Sequence, residues 1–109
     1  MPREQWAGLS AGSTIEFSIT NNNNVPIGVV TQYDSPDNSL DTKWVGDNNG
    51  GPKKLVSGVS LLASIITFLG DGDIEYEAIL KGTPNKTYTK TISGKKGDLS
   101  LVRVVMEVN

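Results

Sequence analysis

A chain of 109 residues, 37% hydrophobic and 20% charged, is long enough to bury one core and too apolar to stay disordered. It contains neither Cys nor His, which excludes disulfides, thiol catalysis and imidazole acid–base chemistry. The net charge is −2, with two basic and six acidic residues over 1–50 and eight basic and six acidic over 51–109; lysines this scattered form no concentrated basic field and argue against a nucleic-acid partner.

Residues 1–12 hold no apolar run, so no signal peptide is read there. They read as an extended N-terminal arm that leaves Trp6 outside any strand and exposed. From Ser13 to Thr20 the chain alternates, Ile15, Phe17 and Ile19 against Glu16, Ser18 and Thr20, as a half-buried strand does. Asn21–Asn24 tolerate turn conformations and predict a hairpin loop. A second strand follows over Val25–Tyr33, with Pro26 at its start or on an edge because proline donates no hydrogen bond.

Asp34–Ser39 is a turn cluster. Leu40, Thr42 and Trp44 then make a short third strand. Gly46–Pro52 reads as a loop with a tight turn at Asn49-Gly50. Leu55–Leu69 carries Leu55, Val59, Leu62, Ile66 and Leu69 at helical spacing, yet Leu61, Ile65 and Phe68 fill the opposite side, and Ile65–Phe68 favour a strand. The expectation is a strand, with a short helix within 55–69 as the alternative. The segment is too short to span a bilayer. It also has few polar positions for a strand with one wet face; either it is central and fully buried, or the chain self-associates through a sheet face or edge.

Asp71-Gly72 is a hairpin signal. Beyond it Ile74, Tyr76, Ala78 and Leu80 oppose Asp73, Glu75 and Glu77. Lys81–Asn85 turns, Lys86–Ile92 alternates again, Gly94–Asp98 turns, and the last strand sends Val102, Val104, Met106 and Val108 inward. About seven short strands joined by Gly, Asn and Pro turns predict an all-β fold, a single antiparallel β-sandwich over residues 1–109. The expected core is Ile15, Phe17, Ile19, Ile27, Ile74, Tyr76, Leu80, Val102, Val104 and Met106.

Chemistry-bearing constellations are few. Asp71, Asp73 and Glu75 alternate and could offer oxygens to calcium, although they read first as an exposed strand face. Ser and Thr lack a histidine base, and neither a nucleophile elbow nor a phosphate-cradling glycine loop is present. The expectation is therefore not an enzyme, and no cofactor. The residues able to contact a partner are the aromatic Trp6 and Trp44 and the loop pairs Lys53-Lys54 and Lys95-Lys96, through a protein interface or a lipid surface. No compartment follows from the sequence.

Three stretches occur in an order similar to that of small β-sandwich proteins of the aegerolysin and actinoporin-like kind. These are Ile15–Asn22, Gly51–Gly58 leading into the long apolar strand, and the acidic strand Ile74–Leu80. The resemblance covers residues 13–80 in outline. It implies a β-sandwich that binds membrane lipid in a toxin-like way, as an alternative to a protein-binding role. The tryptophan- and cysteine-bearing segment of aegerolysins and the aromatic head-group region of actinoporins have no counterpart here, so the resemblance carries over no functional residue.

Overall fold

The computed structural model describes residues 3–109. Nine strands follow in chain order: β1 (Arg3–Leu9), β2 (Thr14–Thr20), β3 (Ile27–Asp34), β4 (Thr42–Val45), β5 (Asn49–Lys54), β6 (Gly58–Phe68), β7 (Gly72–Lys81), β8 (Lys86–Gly94) and β9 (Leu99–Val108). They form two sheets, one of five strands in the order β1-β9-β6-β3-β4 and one of four in the order β5-β2-β7-β8. The only helical piece among the described residues is a 3-10 turn at Asn38–Leu40, closed by Asp37, whose carboxylate accepts from the Ser39 amide at 3.0 Å. The fold is an all-β sandwich, and Gly58–Phe68 is a strand rather than a helix.

The two sheets trap the alternating residues between them. All ten expected core residues face inward; nine are buried, and Ile27 packs half-buried against the rest. Phe17 organises the middle, stacked on Tyr76 at 6.3 Å between ring centroids and met edge-on by Trp44 at 5.4 Å. Of the polar side chains in this core, Thr31, Ser64 and Tyr76 are linked, whereas the buried Ser60 Oγ meets no partner. Thr31 and Ser64 share a hydroxyl hydrogen bond at 2.7 Å, and Ser64 donates onward to the Tyr76 hydroxyl at 3.3 Å. A buried hydroxyl without such a partner is costly.

Several expectations change. Residues 3–9, read as an arm, lie parallel to β9 with Trp6 opposite Met106, so Trp6 turns inward and is only 6% exposed. The N-terminal segment gave no signal of this because a parallel partner one hundred residues away leaves no local trace. Among the described residues the strands number nine rather than about seven, the additional ones being β1 and β5. Asn49-Gly50 is not a turn but the start of β5, an edge strand against β2. Asn21–Asn24 and Asp71-Gly72 do not close hairpins; each carries the chain from one sheet to the other. At the first arch Asn21 folds back on Val25, its amide donating to the Val25 carbonyl at 2.8 Å and its oxygen accepting from the Val25 amide at 2.9 Å. Asn24 beside it takes a left-handed φ of 51°, which asparagine tolerates better than most residues.

Two outcomes follow. Gly50 lies opposite Phe17, and a Cβ there would come within 2.6 Å of Trp44 Cε2 and 2.7 Å of Phe17 Cε1. Gly50→Ala should therefore cost about 1–3 kcal/mol through overpacking, although alanine restricts the unfolded chain; an unchanged urea midpoint would show that the rings are free to move. Burial pushes the Tyr76 hydroxyl up to about 12, with the Ser64 hydrogen bond pulling it back and Tyr88 adding to the rise. The unfolded chain releases that proton near pH 10, so between about 10 and 12 the folded state binds more protons and stability falls as pH rises. Tyr76→Phe should flatten that alkaline slope in urea titrations, leaving the share due to Tyr88, which burial also raises.

Candidate functional site

The two outer faces differ in chemistry. On the four-stranded sheet, register sets Thr20, Glu75 and Thr91 in one row and Ser18, Glu77 and Thr89 in the next. This is the wet face of an antiparallel sheet. On the five-stranded sheet, the outward residues of β6 are Val59, Leu61, Ala63, Ile65 and Thr67, none of them charged. Their neighbours extend the apolar surface sideways. Val45, Val30, Ile65 and Leu101 form one unbroken row across β4, β3, β6 and β9. Val59 is 58% exposed, Ile65 49%, Val45 68% and Leu99 70%.

The face has relief as well as polarity. Gly28 and Gly46 lack side chains, and the space they leave between Val30, Val45, Ile65 and Thr67 is a shallow apolar hollow of about 370 Å³. On the far side of β6, in the same row as Gly28 and Thr67, Leu99 stands out as a knob. On the other side of the Ile65 row is a polar stripe: Lys43, Gln32, Ala63, Arg103 and Arg3 lie side by side on the five strands. The Arg103 Nε is buried and meets no acceptor. On β3 the Gln32 side-chain amide donates to Asp34 Oδ1 at 2.9 Å. The one ion pair among the described residues, Lys81 with Glu16 at 3.2 Å, lies on the other sheet.

The six residues singled out from sequence do not come together. Trp6 is in the core. Trp44 is half-buried with its ring against Phe17. Lys54 pairs across to Thr14, which also neighbours Lys81 at one end of β7, whereas Lys95 and Lys96 follow Gly94, opposite Gly72 at the other end. The two lysine pairs thus stand roughly 25–30 Å apart at the usual rise per residue. Asp71, one of the three acids considered for calcium, accepts the Lys96 backbone N–H at 2.8 Å and so pins the loop between β8 and β9. Asp73 and Glu75 line a small polar hollow of about 180 Å³ with Asn22, Asn23 and Thr91. Among the described residues no three Asp or Glu side chains gather at one point.

Sequence reasoning missed the apolar row because its members come from four strands and only register makes them neighbours. The available signal was β6 itself, whose outward positions carry no charge. Chemically this face offers a flat apolar surface, a hollow, a knob and an arginine short of an acceptor.

Because side chains alternate along β6, neighbouring positions should respond oppositely to charge. Ile65→Lys should keep the fold within about 1 kcal/mol, as at an exposed strand position. Ile66→Lys, at a site with no exposure, should leave a buried ammonium without a partner and unfold the domain. Thermal melts of the two variants check this, and comparable losses would place the outer face of β6 inside the core.

No protein-family model, curated protein or solved structure matches this chain.

Proposed function

We propose that the protein is a non-enzymatic binding module that docks a protein partner on the outer face of its five-stranded sheet. The observation that carries this reading is the unbroken row Val45–Val30–Ile65–Leu101, extended by Leu99 on one side and, past Ala63 in the polar stripe, by Leu61 and Val59 along β6. Water-facing sheets normally alternate apolar and polar, and a contiguous apolar patch rimmed by polar residues marks an interaction surface. The flat breadth suits another protein surface better than a small ligand, which would need a deeper cleft. A lipid surface is less well supported, since Trp6 is buried, Trp44 is turned to the core and the lysine pairs sit at opposite ends.

A photo-reactive phenylalanine placed at Ile65, with a control at Thr89 on the polar sheet, tests this in the cells that make the protein. Protein adducts should form from position 65 and not from position 89. Equal labelling of both faces, no protein adduct at all, or lipid adducts at position 65 would each overturn the reading.

A further inference from the structure

We propose that the docked partner is a second copy of this chain, laid face to face about a two-fold axis that runs along β6. The proposal rests on the docking face just described and names its occupant.

The argument is the self-complementarity of the face about β6. β9 and β3 flank β6 on its two sides, and register fixes which of their residues are equidistant from it. Leu99 on one side matches Gly28 on the other through Thr67; Leu101 matches Val30 through Ile65; Arg103 matches Gln32 through Ala63. A two-fold along β6 exchanges the sides between copies. Each Leu99 knob then stands over the partner's Gly28 hollow, Leu101 over Val30, and Ile65 near its own symmetry mate. Arg103 arrives over Gln32 and beside Asp34, which have formed one hydrogen bond with each other and retain acceptor oxygens. The half-buried Arg103 guanidinium, which makes no ion pair among the described residues, gains a carboxylate there, while its Nε stays covered within its own chain. Each of these contacts except that of Ile65 on the axis occurs twice, as an isologous interface requires.

Shape and size agree. A uniformly twisted sheet turned over about its central strand keeps the same hand of twist, so the two surfaces stay parallel instead of diverging at the corners. Strands roughly 4.8 Å apart and outward residues roughly 6.7 Å apart give the outward positions of the five strands an area of about 600 Å² per copy, about three-quarters of the ~800 Å² of a standard stable interface. Sheets pack about 10 Å apart, within reach of an arginine and a carboxylate. Arg3 and Lys43 meet at the rim, where both are exposed and solvent screens them.

Sedimentation across micromolar concentrations tests the proposal. The wild type should run at twice the 11.7 kDa chain mass. Arg103→Asp and Asp34→Arg should each weaken the dimer at least roughly tenfold by setting like charges together, and the double exchange should restore it. Gly28→Leu, which fills the hollow, should also dissociate the dimer, with far-UV spectra confirming that every variant is folded. A monomeric wild type, a dimer indifferent to Arg103→Asp and Gly28→Leu, or a double exchange without rescue would overturn the inference. The docking reading is judged separately: with a monomeric wild type it stands if the cross-linker at position 65 captures a protein other than a second copy, and falls if it captures none.

Discussion

The pairing of β6 with β3 on one side and β9 on the other holds the molecule together. Val59–Thr67 faces Leu99–Glu107 residue for residue, and the same strand faces Ile27–Asp34 on its opposite edge. No other strand of the five-stranded sheet has two partners over such a length. Its inward residues Leu62, Ile66 and Phe68 supply the floor of the core, and Ser64 anchors the hydroxyl network that reaches Tyr76 in the opposite sheet. Hydrogen-bonded on both edges and packed beneath, β6 has one surface left, and that surface is also apolar. The apolar face is thus the outer side of the strand on which the fold is built.

Three of the four edge strands, β4, β5 and β8, are protected against strand addition. On β8 the register puts Lys90 opposite the buried Tyr76, a lysine on the inward side of an edge strand. β5 carries Pro52 and an irregular register against β2, and β4 is only four residues long. Charges, prolines, irregularities and short length all discourage strand addition. The face-to-face stacking proposed above would avoid strand addition altogether, because it would use side chains and leave the backbone ladders as they are.

Much of the architecture was legible wherever one strand's alternation is self-sufficient. Ile15, Phe17 and Ile19, the run from Ile74 to Leu80, and Val102, Val104 and Met106 all announce their inward side within a few residues. What was not legible depends on partners distant in sequence. Trp6 is buried because β9 lies beside it, and Gly50-Gly51-Pro52 is strand because β2 lies beside it; turn-forming residues by themselves indicate the opposite. Asn21–Asn24 and Asp71-Gly72 have hairpin composition, but a chain reversal within one sheet and an arch between two sheets use the same residues. The candidate site failed for a related reason. Aromatic and basic side chains drew attention one by one, whereas the distinctive surface is a row of ordinary aliphatic residues that only register assembles.

The parallel alignment of β1 with β9 has a mechanical consequence. Arg3 lies beside Arg103 and Leu9 beside Val108, so the two strands run side by side in the same direction. A pull between Arg3 and Asn109 drags β1 backwards and β9 forwards along their common axis. The load then falls across the whole set of inter-strand hydrogen bonds together, in shear. A hairpin pulled from its open end would instead peel one bond at a time. Resistance to force is governed by the unfolding barrier rather than by equilibrium stability, and this arrangement raises that barrier in one direction of pulling. The molecule therefore resists pulling along the common axis of its first and last strands, parallel to the apolar face.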